Sequence, residues 1–148
     1  FLHNRILHIA THNLVEDHPD LSGLVLSRFD ENGRPVDAFL GVREIYDLKL
    51  AADLVVLSAC GTGLGREVRG EGVLGLTRAF LHSGARRVVV SLWNVKEAET
   101  AELMTRFYRQ MRDGLAPAAA LRSAQASMIA DGEPPRSWAG FILQGEPR

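Results

Sequence analysis

The run Leu54-Val55-Val56-Leu57-Ser58-Ala59 restricts the fold more than any other segment, because its apolar residues are consecutive. A strand with one wet face alternates apolar and polar side chains. A strand without alternation has both faces covered, as in the middle of a parallel sheet packed between helices. Arg87-Val88-Val89-Val90-Ser91-Leu92 repeats the pattern. Two such strands call for a sheet with helices on both sides.

The remaining segments supply those helices and the sheet's other members. Residues 5–11 predict a strand ending at His12, and residues 23–29 a second strand. Asp30-Glu31-Asn32-Gly33 is turn chemistry, and Ala38-Phe39-Leu40 can return as a short hairpin partner. Val42, Ile45 and Tyr46 recur at helical spacing. Five glycines between 61 and 72 mark a loop, after which Leu74, Thr77, Arg78 and Leu81 predict a helix over 73–82, stopped at Gly84. A helix over 97–113 starts acidic, ends basic and stops at Gly114, which suits its dipole. Pro117 fits the first turn of another helix reaching 130. Asp131-Gly132-Glu133-Pro134-Pro135 breaks the chain before a last strand over 137–143. Strands alternating with helices across short connections predict one α/β domain with a mostly parallel central sheet flanked by helices on both faces. At 148 residues the chain fits a single domain that buries a real core.

Composition narrows the partners. Seventeen basic residues face eighteen acidic ones, so no global field draws the chain to nucleic acid or an anionic membrane. No apolar run approaches the ~20 residues that span a bilayer, and the start lacks a signal-peptide pattern. The single cysteine excludes an internal disulfide and a Cys-rich zinc site, which suits a reducing cytoplasm. No cofactor is expected. The chain begins with Phe1 rather than Met and enters an apolar pattern at once, which reads as a fragment or a processed subunit.

Cys60 directly follows the 54–59 strand, and His12 ends the first one. A lone cysteine is commonly just a small buried hydrophobe, and one histidine of five is commonly structural. Their shared placement changes the weighing. In open α/β sheets, ligands bind beyond the carboxyl ends of the strands, where both residues lie. If the strands are neighbours, thiol and imidazole face one crevice, and a thiol nucleophile needs such a base to form thiolate. The glycines from Gly61 to Gly72 permit close approach of a substrate backbone and leave amides for an oxyanion, or serve flexibility alone. A phosphate-binding loop fits less well. No Gly-Lys-Ser/Thr follows, Gly61-Thr62-Gly63-Leu64-Gly65 departs from the dinucleotide fingerprint, and the next strand ends in Trp93-Asn94 rather than an acid.

Six blocks stand in order: His8-Ile9-Ala10-Thr11-His12, Leu57-Ser58-Ala59-Cys60-Gly61-Thr62-Gly63, Gly70-Glu71-Gly72, Ala79-Phe80-Leu81-His82-Ser83-Gly84-Ala85, Ser91-Leu92-Trp93-Asn94-Val95 and Trp138-Ala139-Gly140-Phe141. Together they closely resemble the CHAT domain, a caspase-like family in the clan of caspases and separase that often accompanies tetratricopeptide repeats. The resemblance implies a caspase-like α/β fold and a single domain over 1–148 that lacks its N-terminal portion. It also implies a His12/Cys60 dyad, with Asn13 standing where the family has glycine. The backbone amides of Asn13 and Cys60 then form the oxyanion hole, and Asn13 keeps the amide that this role needs. Gly61 replaces a common glutamate that belongs to neither dyad position. Substrate is implied to lie extended near residues 91–95, with Gly61, Ser91 and Trp93 as contacts and Trp93 as either pocket wall or core aromatic. Glu71 reads first as a helix-start residue, and Asp131 and Glu133 as a solvated turn.

The expected function is a cysteine endopeptidase acting on a protein or peptide, an effector in bacterial-type signalling or defence. The expected partners are an attached sensor or repeat module, or the remainder of the domain. The competing expectations are a catalytically silent interaction domain on the same fold, and a phosphate- or nucleotide-binding domain using the glycine loop.

Overall fold

The computed structural model describes residues 6–14, 22–58, 60–61 and 70–147. The chain opens with strands β1 (Ile6–Ile9), β2 (His12–Leu14), β3 (Gly23–Val25) and β4 (Phe39–Gly41), then helix α1 (Val42–Asp47). Strands β5 (Leu54–Leu57) and β6 (Cys60–Gly61) lead to helix α2 (Gly70–His82) and strand β7 (Arg87–Ser91). Helices α3 (Glu97–Arg112) and α4 (Pro117–Ala130) precede the last strand, β8 (Phe141–Gly145).

The described strands form two four-stranded sheets, ordered β1-β5-β7-β8 and β4-β3-β2-β6. In the first, β1, β5 and β7 run parallel and β8 closes the edge antiparallel. The unbroken apolar runs sit in its centre, as their pattern requires. Val55 and Leu57 of β5, with Val88 and Val90 of β7, pack against Val42 and Ile45 of α1 and Leu76 and Phe80 of α2. Leu54, Val56 and Val89 point the other way, into Leu103 and Phe107 of α3 and Leu121 and Met128 of α4. Every β5 side chain is 3% exposed or less. Burying such a side chain stabilises the fold by about 1.5–3 kcal/mol, so this strand holds both layers. The result is an α/β domain with a mostly parallel sheet flanked by helices on both faces.

The helix ends follow their local chemistry. Glu44 accepts a hydrogen bond from the Gly41 amide at 2.7 Å and closes the start of α1. Glu97 and Glu99 lie in the first turn of α3, and Arg109 and Arg112 in its last. Pro117 opens α4. Gly84 ends α2 with φ +109°, and a Cβ there would stand 2.2 Å from the Leu50 carbonyl oxygen. Arg106 joins α3 to the end of α4, with Glu102 at 2.7 Å and Asp131 at 2.6 Å. Asp131 is therefore the C-cap of α4 and an ion-pair partner, beyond its expected role in a solvated turn.

Several boundaries depart from the sequence reading. The first strand does not end at His12. It breaks at Ala10 and Thr11 and resumes as β2. Helix α2 begins at Gly70 rather than 73, despite the weak helix preference of Gly70 and Gly72. The expected 23–29 strand stops at Val25, with an isolated bridge from Phe29 to Pro35. The last strand starts at Phe141, preceded by a short 3-10 turn, Pro135–Ser137. Among the described residues, no helix is long and apolar enough to cross a membrane.

Candidate active site

β2 and β6 are the continuation of β1 and β5. Ile6 pairs with Leu54 and Ile9 with Leu57, the Ser58 amide donates to the Ile9 carbonyl at 3.1 Å, and His12 then pairs with Cys60. Each of these paired sets is offset by 48 residues, so the parallel register survives the break at residues 10–11. His12 and Cys60 are thereby direct partners across one ladder, and Asn13 is the partner of Gly61. Adjacent strands run ~4.8 Å apart, so the two backbones stand one interstrand spacing from each other. On its other side β2 pairs antiparallel with β3, His12 opposite Val25, and the Thr11 hydroxyl donates to the Val25 carbonyl.

Just before the ladder, the carboxyl ends of β1 and β5 and the first half of α3 enclose a cleft of about 520 Å³. His8, Thr11 and Ser58 line it from the sheet, and Glu97, Thr100 and Met104 from the helix. His8 lies between two hydroxyls: its Nε2 is 2.7 Å from Ser58 Oγ and its Nδ1 2.9 Å from the Tyr108 hydroxyl. The His8 and Tyr108 rings also meet at 5.6 Å between centroids. Burial lowers the His8 pKa below its usual 6.5 and pushes the Tyr108 hydroxyl up to about 12. Near neutral pH, His8 is thus an uncharged imidazole, one nitrogen donating and the other accepting. Thr100 is 8% exposed, and its Oγ1 has no hydrogen-bond partner among the described residues.

Ser91 is the last residue of β7, and Trp93 lies two residues beyond it. The Ser91 hydroxyl donates to the Trp93 carbonyl at 2.6 Å, and the Trp93 indole N–H donates to the Arg136 carbonyl at 3.0 Å. Gly140 fits beneath the ring: a Cβ there would stand 2.8 Å from Trp93 Cε2 and 3.1 Å from Ser91 Oγ. Ser91 pairs with Phe141, and the Leu92 amide donates to the Gly140 carbonyl. The β8 side of residues 91–92 is therefore occupied. Trp93 is 38% exposed, a ring anchored at its edge rather than a core aromatic.

The structure thus brings His12, Asn13, Cys60 and Gly61 together on one ladder. Most of the glycine loop, residues 62–69, lies outside the described residues, and with it the expected phosphate cradle. Glu71 falls in the first turn of α2, as read from the sequence. Among the described residues, no cluster of His, Cys, Asp or Glu is arranged to hold a metal ion. Sequence reasoning missed the cleft. His8 and Ser58 stand inside the quoted blocks, yet only the strand alternation, two residues per step on paired strands, indicates that they face α3 together. Tyr108, Thr100 and Glu97 carry no local signal, because helix-to-sheet docking alone brings them there.

Comparison with known proteins agrees with this architecture. The family model of the CHAT domain matches residues 3–146. Tetratricopeptide repeat protein 28 of Mus musculus and of Homo sapiens are each 37% identical over 111 residues. That stretch is 74% of this chain and 4% of either relative, so the chain spans a small fraction of their length. With helices on both faces of a mostly parallel sheet and a match over nearly every residue, the chain belongs to the CHAT domain family, on a caspase-like α/β fold.

Proposed function

We propose that this domain is a cysteine endopeptidase in which His12 and Cys60 are the reacting pair. The observation that supports it is their direct partnership across the β2–β6 ladder, at the carboxyl end of the sheet where α/β folds bind ligands. His12 takes the Cys60 thiol proton, and the thiolate adds to the scissile carbonyl. The Asn13 and Cys60 amides hold the oxyanion, each such donor contributing on the order of 10²–10³ in rate. The C–N bond then breaks, His12 gives its proton to the departing amine, and water releases the acyl group. Gly61, Ser91 and Trp93 contact the peptide. A repeat module in the same polypeptide governs the activity, in keeping with relatives named for tetratricopeptide repeats, and the site of action is the cytoplasm.

The test is covalent labelling by a peptidyl acyloxymethyl ketone, read by intact mass. One adduct is expected, absent in Cys60→Ala and slowed at least 100-fold in His12→Ala. If the complete polypeptide with its activating partner forms no Cys60 adduct, the domain is a catalytically silent interaction module instead.

A further inference from the structure

Between β1 and β2 only Ala10 and Thr11 join one sheet to the other, and the chain bends at Thr11, directly before His12. On the near side of the bend, the Ser58 amide holds the Ile9 carbonyl at 3.1 Å. On the far side, His12 and Asn13 pair with both β3 and β6. A displacement of the two joining residues would therefore move the His12 backbone from its place opposite Cys60.

The Thr11 side chain opposes that displacement. Its part-buried hydroxyl donates to the Val25 carbonyl, and Val25 is the β3 residue that pairs with His12. Val25 is itself held in place. Its neighbour Leu24 is fully buried in the α1–α2 layer. β3 pairs along its length with β4, and the Leu26 amide extends that ladder to the Ala38 carbonyl at 2.6 Å. Support thus runs from the core through β3 to the side chain adjoining His12. Thr77 and Thr105 bond differently, each donating to the carbonyl four residues back in its own helix. Thr11 instead reaches a separate strand, 14 residues along the chain. The residue type suits the task. A β-branched side chain is stiff about χ1 and favours extended backbone, and the hydroxyl supplies the donor. Valine would keep the branching and lose the bond, whereas serine would keep the bond.

We infer that Thr11 is a positioning residue for the reaction: by binding the Val25 carbonyl, its hydroxyl fixes the backbone that carries His12 opposite Cys60. This role rests on His12 and Cys60 being the reacting pair, so the test reads His12 as well as the reaction. The complete polypeptide and its Thr11→Val, Thr11→Ala, Thr11→Ser and Thr105→Val variants are labelled with the peptidyl acyloxymethyl ketone, and the limiting rate and the half-saturating concentration are measured separately. Thr11→Val lowers the limiting rate about 10- to 100-fold, as a misplaced reacting group does, and leaves the half-saturating concentration within about 2-fold. Thr11→Ala, the second variant without a donor, shows the same loss, and whichever of the two keeps the native far-ultraviolet spectrum decides. Thr11→Ser restores most of the rate. Thr105→Val, which removes a hydroxyl bond inside α3, changes neither constant. An unchanged limiting rate without the hydroxyl, or an equal loss in Thr11→Ser, overturns the positioning role. A separate arm compares the His12 ring resonances in a Cys60→Ala background. Thr11→Val shifts them and Thr11→Ser returns them toward native. No shift overturns the role whatever the labelling, and a shift in a chain that forms no Cys60 adduct keeps Thr11 as the holder of His12 while removing the protease reading.

Discussion

His8 titrates differently in the folded chain. Its ring lies between Ser58 and Tyr108, and burial holds its pKa below 6.5. The fold therefore favours the neutral ring. Well above pH 6.5 both folded and unfolded chains carry it uncharged, and its contribution to stability is fully present. As pH falls through 6.5 toward the lowered folded value, the unfolded chain takes up the proton first and that contribution is lost. The thermal midpoint of the native chain is accordingly expected to exceed that of His8→Gln by less at pH 5 than at pH 7.5. A gap that stays constant over this range would mean that His8 titrates as it does in water. The sequence singled out His12 and Cys60 through their positions at predicted strand ends, which are local properties. It was silent on His8, Tyr108 and Thr100 because their meeting depends on how α3 lies across the sheet. The spacing from 8 to 108 is invisible in any window short enough to read periodicity.

At the scale of elements, two glycines stand where a side chain would collide, Gly84 against backbone and Gly140 against side chains. Gly84→Ala places a Cβ against the Leu50 carbonyl at a positive φ, so it strains the α2–β7 turn. A loss of about 1–3 kcal/mol is expected from urea denaturation. Gly140→Ala drives a methyl group into the Trp93 ring. It is expected to cost about 1–3 kcal/mol and to shift the indole emission, with no such shift in the same substitution made in a Trp93→Phe background. The sequence indicated β5, β7, α3 and α4 because each is governed by its own pattern: unbroken apolar residues, dipole-matched charges, a leading proline. It did not indicate the break at residues 10–11 or the start of α2 at Gly70. Nothing in Ala10 and Thr11 forbids a continuous strand, and two glycines argue against a helix that the core nonetheless holds.

For the whole molecule, the central sheet divides the apolar interior into two layers with different owners. Phe80 belongs to the α1–α2 layer and Phe107 to the α3–α4 layer, each fully buried. Phe80→Leu and Phe107→Leu are each expected to cost about 1–1.5 kcal/mol. Because they lie in separate core clusters, the double variant is expected to lose their sum to within about 0.5 kcal/mol, measured by chemical denaturation. Strong non-additivity would show that the sheet transmits strain between the layers. The α/β class and both-sided covering were legible from β5 and β7 alone. The second sheet was not, since its existence depends on where two paired strands leave the first.

That departure has a consequence for control. His12 and Cys60 both sit past the seam at residues 10–11, on strands that keep one register across it. A swivel at the seam would carry the two residues together as one flap, leaving their partnership unchanged while altering its aim relative to the rigid layers below. Leu24 of β3, fully buried in the α1–α2 layer, ties that flap to the interior and resists such a turn.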